Sequence, residues 1–205
     1  MNSLIGHLAG AHRVIAPTHP GWDDSERPDD LADVAGLAGV YLDLLEQQGL
    51  SGVTVLGVSF GGWVAAEMAV TDRGKRIGRL VIIDAVGPQI EGHPPTMPSG
   101  PPPSTGPAPG GPQQGPPPGN MAAFRAYTTG GLEDPSLLGR FADLPVPARL
   151  IWGENDTVVT PEFGRRYAEA IPGAQFTLIP GGGHLPMREA PQATFAAIDA
   201  FLAGQ

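Results

Sequence analysis

The chain has 205 residues, a net charge of −9 and no cysteine. Its length suffices for one domain with a hydrophobic core, and the lack of cysteine excludes disulfides, thiolate catalysis and cysteine-ligated metals. The acidic charge, without any basic cluster, excludes a nucleic-acid partner. No apolar run is long enough to cross a bilayer and the N-terminus has no signal-peptide pattern, so we expect a cytoplasmic protein with no membrane partner.

Strands and helices alternate in the first 87 residues. In chain order, the pattern predicts a strand at 13–17, a helix at 31–48 capped by Asp29 or Asp30 and ended by Gly49, a strand at 53–57, a helix carrying Trp63, Val64, Met68 and Ala69, and a strand at 79–84. These strands are short and apolar, which is typical of a buried parallel sheet.

The next segment, residues 88–119, is rich in proline and glycine. Thirteen of the 24 prolines lie between Pro88 and Pro118. Such a segment has little to bury and predicts a polyproline-II-like tether without a fixed fold. Pro98 and Pro101 form one PxxP spacing that an SH3-type domain could bind. Because proline-rich tracts contain this spacing by chance, a spacer is the favoured interpretation.

The alternation resumes after the tether. The pattern predicts helices at 120–127, capped by Asn120, and at 135–141, a strand at 148–153, a helix from Pro161 to about 171 capped by Thr160, a strand at 174–179 and a final helix at 190–203. This order predicts an α/β fold, a mostly parallel sheet with helices on both faces. Residues 1–87 and 144–205 then form the two parts of the core, flanking the tether at 88–119 and a helical segment at 120–143.

The stretch Gly57-Val58-Ser59-Phe60-Gly61 joins a predicted strand to a predicted helix. A strand that turns directly into a helix through G-x-S-x-G holds the central serine in a strained conformation. We expect Gly57 and Gly61 to be needed because side chains at these positions would collide across the turn. The helix N-terminus directs its N–H groups toward the atom that the serine attacks. The pattern predicts Ser59 as a nucleophile.

A serine nucleophile needs a base, and the base needs an acid to orient it. Of the five histidines, His184 follows a predicted strand through a Pro-Gly-Gly-Gly loop that can place an imidazole at the sheet edge. His93 lies near the start of the tether, and His7, His12 and His19 lie near the N-terminus, where a surface or packing role is expected. His184 is therefore the predicted base.

Two aspartates are candidates for the acid. Asp156 follows the strand that ends in Trp152-Gly153, and Asp84 ends the strand at 79–84. A carboxylate on a loop beyond a strand can reach a histidine on the next such loop, which favours Asp156. Asp84 is kept as the alternative acid, although a backbone hydrogen bond at the strand end suits it better. Glu154 is a weaker candidate that we expect to face solvent.

Five segments resemble successive landmarks of the α/β-hydrolase superfamily: RVIAPTHPGW, VTVLGVSFGGWVAAE, RLVIIDAVG, LIWGENDTVVTPE and IPGGGHLPMREAP. They occur in the family's order and cover nearly all of the chain outside the tether. The resemblance implies Ser59 as nucleophile, Asp156 as acid and His184 as base. It also implies that the backbone N–H of Phe60 is one donor of the oxyanion hole.

The chain departs from this family at two places. The family's second oxyanion donor comes from a His-Gly loop after a strand upstream of RVIAP, and the chain matches neither. The resemblance therefore implies an N-terminally truncated α/β-hydrolase fold without the central strand between residues 13–17 and 53–57. Where the family has a helical cap, the chain has the tether and a residual helical cap at 120–143, which predicts an open, weakly selective site.

The residues and the resemblance together predict a serine hydrolase. Its substrate is expected to be a small carboxylic ester or related acyl compound, cleaved through an acyl-enzyme. No organic cofactor and no metal are expected. The alternative hypothesis is a homologue that binds a ligand without efficient turnover, and a third is an interaction module that works through the proline tract.

Overall fold

The computed structural model describes residues 2–96 and 118–204. The strands in this part of the chain are β1 (Val53–Val58), β2 (Ile77–Ile83), β3 (Gly87–Pro88), β4 (Glu133–Asp134), β5 (Ala148–Gly153) and β6 (Gln175–Ile179). Four of them form a parallel sheet in the order β1-β2-β5-β6, and β3 pairs with β4 separately. The predicted α/β fold with a parallel sheet is confirmed.

Helices connect these strands. They are α1 (Asn2–Ala9), α2 (Val34–Gln47), α3 (Phe60–Asp72), α4 (Pro118–Tyr127), α5 (Leu137–Arg140), α6 (Pro161–Glu169), α7 (Pro186–Glu189) and α8 (Pro191–Leu202), and a 3₁₀ turn covers Phe141–Asp143. Within the described residues, no helix combines the length and the apolar character that crossing a bilayer requires.

Both faces of the sheet are covered, and the side chains of β2 show how. Leu80 and Ile82 belong to the apolar cluster that α2, α3 and α6 build on one face. Val81 and Ile83 belong to a second cluster, which α1, α7 and α8 complete on the other face. All four are fully buried, because successive side chains of a strand point to opposite faces.

The register of the sheet brings the ends of three strands together. Val58 of β1 lies beside Ile83 of β2, and Ile83 lies beside Ile151 of β5. The residues that follow β1 and β2 therefore emerge side by side at the carboxyl ends of the strands, where ligands bind in open parallel sheets. Ser59 and Asp84 are two of them.

The predicted strand at residues 13–17 is wrong. The segment has no regular secondary structure and pairs with no strand of the described residues, and Ile15 is 43% exposed. A strand needs a neighbour that completes its ladder of hydrogen bonds. Within the described residues β1 is the edge strand of the sheet and pairs only with β2, so residues 13–17 do not extend the sheet. Their apolar composition alone was therefore not enough to predict whether they form a strand.

Several predicted helix boundaries shift. Helix α2 is capped by Asp33, whose side chain accepts a hydrogen bond from the Gly36 N–H at 2.7 Å, and not by Asp29 or Asp30. Before this cap, the Leu31 N–H bonds to the Pro28 carbonyl in a separate turn. Thr160 caps α6 as predicted, accepting from the Phe163 N–H.

The segment at 120–143 packs on the core. Asn120 lies inside α4 and does not cap it; its side chain instead accepts from the Asp23 N–H at 2.9 Å. Leu137 and Phe141 are fully buried in the larger cluster. The Arg140 guanidinium donates two hydrogen bonds to the carboxylate of Glu67, a buried residue of α3. This ion pair connects the segment to the helix that follows Ser59.

Most of the predicted tether lies outside the described residues, namely 97–117. The prediction was too wide at both ends, since part of the segment at 88–96 packs on the core and α4 begins at Pro118. Pro88 belongs to β3, and Ile90 is buried in the larger cluster. The Thr96 N–H donates to the Val158 carbonyl at 2.7 Å, so Thr96 lies beside the loop that carries Asp156.

Candidate active site

Ser59 lies between the last residue of β1 and the first residue of α3, with φ of 53° and ψ of −121°. A positive φ is unusual for a residue with a side chain and costs of order 1–3 kcal/mol. Gly57 permits the turn, because a Cβ on it would lie 2.0 Å from the Gly61 carbonyl oxygen. The Ser59 N–H donates to the Ile83 carbonyl at 2.9 Å, which ties the turn to β2.

Gly61, the second glycine predicted for the turn, has a different structural role from Gly57. A Cβ on Gly61 would meet no neighbouring element within 4 Å, so the expected collision of its own side chain does not occur. The close contacts involve the Gly61 backbone, which faces Gly57, and Gly62, where a Cβ would lie 2.3 Å from the Ala85 Cβ. The sequence pattern identified the turn but missed Gly62 as the position where α3 approaches the segment that follows β2.

The structure brings Ser59, His184 and Asp156 into one chain of hydrogen bonds. His184 follows β6, and its Nε2 lies 2.9 Å from the Ser59 Oγ. Its Nδ1 lies 2.9 Å from Oδ2 of Asp156, which follows β5. With a neutral ring, Nδ1–H donates to the carboxylate and Nε2 accepts the hydroxyl proton of Ser59.

The surroundings of Asp156 hold its carboxylate in place. The residue is 4% exposed, and its Oδ1 accepts hydrogen bonds from the Val158 and Val159 N–H groups at 2.8 and 3.1 Å. Glu154 is exposed, as predicted, and its Oε2 accepts from the Gly181 N–H at 3.0 Å. Glu154 thereby links the loop of Asp156 to the loop of His184 without reaching the histidine ring.

Asp84, the alternative acid, also reaches this site but not the histidine. It is fully buried, and its Oδ1 accepts from the Gly153 N–H at 2.8 Å, the backbone contact expected at a strand end. Its carboxyl group faces that of Asp156. Burial, and next the negative charge of Asp156, raise the pKa of Asp84 to about 10.

The backbone N–H of Phe60 is the first of helix α3. The first N–H groups of a helix have no acceptor within the helix, and the helix dipole places partial positive charge there. Because Phe60 directly follows Ser59, this N–H belongs to the helix end next to the serine.

A cavity of about 200 Å³ opens beside the serine and the histidine. Besides Ser59 and His184, its lining residues are all apolar: Phe60, Val86, Phe124, Leu132 and Val158. The sequence singled out Phe60 for its backbone N–H and did not identify the other four. The predicted helix at 120–127 contains Phe124 and could have indicated that this residue packs on the core. Leu132 lies in a loop, where no sequence pattern could have identified it.

Among the described hydrogen bonds, those of the other histidines do not involve Ser59. His7 pairs with Asp199 and stacks on Phe195. His19 hydrogen-bonds the Tyr41 hydroxyl, and burial lowers its pKa. His12 is exposed and His93 lies in the turn after Ile90.

Comparisons with known proteins give one family. The profile of the alpha/beta hydrolase family matches residues 1–198. An uncharacterized protein of Mycobacterium tuberculosis is 25% identical in an alignment that spans 98% of this chain and 70% of that protein.

Solved structures share the fold. A thermophilic esterase from Thermogutta terrifontis is 22% identical, with a TM-score of 0.74 over 99% of this chain and 84% of that chain. A bromoperoxidase from Bacillus anthracis is 18% identical, with a TM-score of 0.72 over 98% of this chain and 86% of that chain. The profile match covers nearly the whole sequence, and the chain belongs to the alpha/beta hydrolase family.

Proposed function

We propose that this hydrolase is a serine esterase that cleaves small carboxylic esters through an acyl-enzyme. The observation that carries the proposal is the pair of 2.9 Å hydrogen bonds that link Ser59 to His184 and His184 to Asp156. A serine hydroxyl becomes nucleophilic when an oriented imidazole can take its proton.

In the proposed reaction, His184 Nε2 removes the Ser59 proton as Oγ bonds to the ester carbonyl carbon. Asp156 holds the Nδ1–H and stabilises the imidazolium. His184 then gives its proton to the alcohol oxygen as the ester bond breaks. Water, deprotonated by the same nitrogen, next attacks the acyl group, and the proton returns to Oγ.

The Phe60 N–H is the proposed donor to the oxyanion. Each such donor typically contributes on the order of a hundredfold or more in rate. It lies at the start of α3, so the helix dipole adds to the field at the carbonyl oxygen.

The size and lining of the cavity favour a small, uncharged, apolar acyl group. Phe124 and Leu132 line it together with Val158, and no Asp, Glu, Lys or Arg of the described residues does so. Since Phe124 and Leu132 come from the segment at 120–143, we infer that this segment acts as the residual cap. The likeness in fold to an esterase is consistent with this substrate class.

The test is covalent labelling with a fluorophosphonate probe, read by intact mass and by tryptic mapping. We expect one adduct on Ser59 in the native chain and none in Ser59→Ala. Ser51→Ala, an exposed serine just before β1, is the matched control and should label normally. A correctly folded chain that takes up no probe would refute the esterase proposal and leave a non-catalytic homologue.

A second measurement addresses the acyl group. We expect p-nitrophenyl acetate and butyrate to be hydrolysed with higher kcat/KM than the palmitate, because the cavity has only about 200 Å³. Equal values for butyrate and palmitate would contradict the assignment of this cavity as the acyl site.

A further inference from the structure

Asp84 is unusual for an aspartate in both its backbone conformation and its burial. It follows β2 with φ of 42°, in the left-handed region, and its side chain is fully buried. Its Oδ1 accepts from the N–H of Gly153, the last residue of β5. The backbone strain persists because this hydrogen bond and the surrounding core fix the residue.

The other oxygen of Asp84 lacks a donor. Within the described residues, Oδ2 is buried and has no partner that donates to it. The group that it can reach is the carboxyl of Asp156. Two carboxylates cannot hydrogen-bond each other, so a bond between them requires that one of the two retains its proton.

The contacts of Asp156 decide which group is ionised. Asp156 accepts two backbone N–H groups and the His184 ring, all of which stabilise a carboxylate. Asp84 accepts one backbone N–H, and the charged groups that act on it are Asp156 and Glu189 of α7, both acidic. No cation compensates a negative charge on Asp84 among its described contacts, so burial favours its neutral form.

We propose that Asp84 is a positioning residue: it remains a neutral carboxylic acid through the neutral pH range and donates its O–H to the carboxylate of Asp156. This inference rests on the proposed role of Asp156. One carboxyl group then fixes two points of the neighbouring loop, Gly153 through Oδ1 and Asp156 through the O–H. The pKa of Asp84, raised to about 10, agrees with this assignment.

Loss of this proton would remove the donor and set two buried negative charges against each other. The carboxylate that orients His184 would then be displaced, so activity should fall as Asp84 ionises. An amide at the same position can replace the acid, because Asn donates through its NH₂ group, accepts through its oxygen and does not titrate.

The first test is independent of catalysis. Urea unfolding of the native chain and of Asp84→Asn is measured from pH 6 to 9. Asp84 binds one proton in the folded state and none in the unfolded state between its ordinary value of 3.8 and about 10. The folded-to-unfolded ratio of the native chain should therefore fall about tenfold per pH unit relative to Asp84→Asn, or about a thousandfold over this range.

If the folded-to-unfolded ratio of the native chain, divided by that of Asp84→Asn, does not change with pH, the proposal is overturned, because Asp84 would then be ionised in the folded state. Ser59→Ala keeps Asp84 and should follow the native chain in this series. The measurement needs no turnover. Failure of probe labelling would thus refute the esterase proposal alone, and a flat stability ratio would refute the neutral Asp84 alone.

The second test is the pH profile of probe labelling. Asp84→Leu, which has a similar shape but no donor, should label more slowly than Asp84→Asn at every pH. The native chain should lose labelling as the pH passes about 10, and Asp84→Asn should not show this loss. Equal profiles for Asp84→Asn and Asp84→Leu would mean that Asp84 only fills space.

Discussion

The ion pair between Glu67 and Arg140 allows a quantitative prediction of stability. The Glu67 side chain is 4% exposed, whereas that of Arg140 is 36% exposed. Arg140→Met removes the cation and leaves the Glu67 carboxylate buried in the contact between α3 and the segment at 120–143. The partner that remains is Thr71, whose hydroxyl donates weakly to Glu67 at 3.4 Å.

The expected loss follows from this asymmetry. Removing one partner of a buried ion pair costs about 3–5 kcal/mol, and removing an exposed one costs about 0–1 kcal/mol. Because the guanidinium reaches the surface, water can partly solvate the carboxylate after the change, so we expect a loss of about 2–3 kcal/mol. For a chain of this length that corresponds to a Tm lower by roughly 4–12 °C.

The assay is urea unfolding at pH 7, followed by circular dichroism, for a double-mutant cycle. Glu67→Met should cost less than Arg140→Met, since the remaining guanidinium reaches water and Asp134 at 3.8 Å. The double variant should unfold within about 1 kcal/mol of the native chain, because a well-packed apolar pair replaces a buried ion pair at little cost.

An exposed ion pair of the same chain provides the control. Arg166 contacts Glu162 and Glu169 on the surface of α6, and Arg166→Met should cost less than about 1 kcal/mol. If Arg140→Met and Arg166→Met have equal effects, or if the double variant loses the sum of both single changes, burial does not govern the free energy of this ion pair.

Two further predictions concern packing. Gly57→Ala should destabilise the fold by more than about 3 kcal/mol, because its methyl group would meet backbone that cannot move aside. Gly61→Ala should stay within about 1 kcal/mol of the native chain. Similar unfolding midpoints for these two variants would contradict the geometry of the turn at Ser59. Tyr167 is fully buried, and its hydroxyl has no partner among the described residues, so Tyr167→Phe should leave the free energy of unfolding unchanged or raise it by up to about 1 kcal/mol. A loss above about 1 kcal/mol on urea unfolding would reveal a hydrogen bond that stabilises this hydroxyl.

Local patterns were sufficient for much of the fold. The strand at 148–153 was predicted with its observed bounds, and Thr160 was recognised as the cap of α6, since both depend on a few consecutive residues. The spacing of Ser59, Asp156 and His184 along alternating strands and helices predicted that they would meet, because parallel strands end at one edge.

What the sequence did not reveal depends on distant partners. Residues 13–17 have the composition of a strand, but strand formation requires a neighbour that no local pattern specifies. Arg140 and Glu67 are 73 positions apart, so nothing near either residue indicates the pair. Asp84 was weighed as a rival to Asp156, and only the buried contact between their carboxyl groups suggests that they act together.

The strand order β1-β2-β5-β6 means that the main sheet follows the order of synthesis. Each strand can dock on one already made, through a helical crossover, so the nascent chain has no need to insert a late strand between early ones. The serine turn can form once β2 is present, but the histidine emerges only after β6. On a ribosome, Ser59 would lack its hydrogen-bond partner His184 until residue 184 has been translated and β6 has docked.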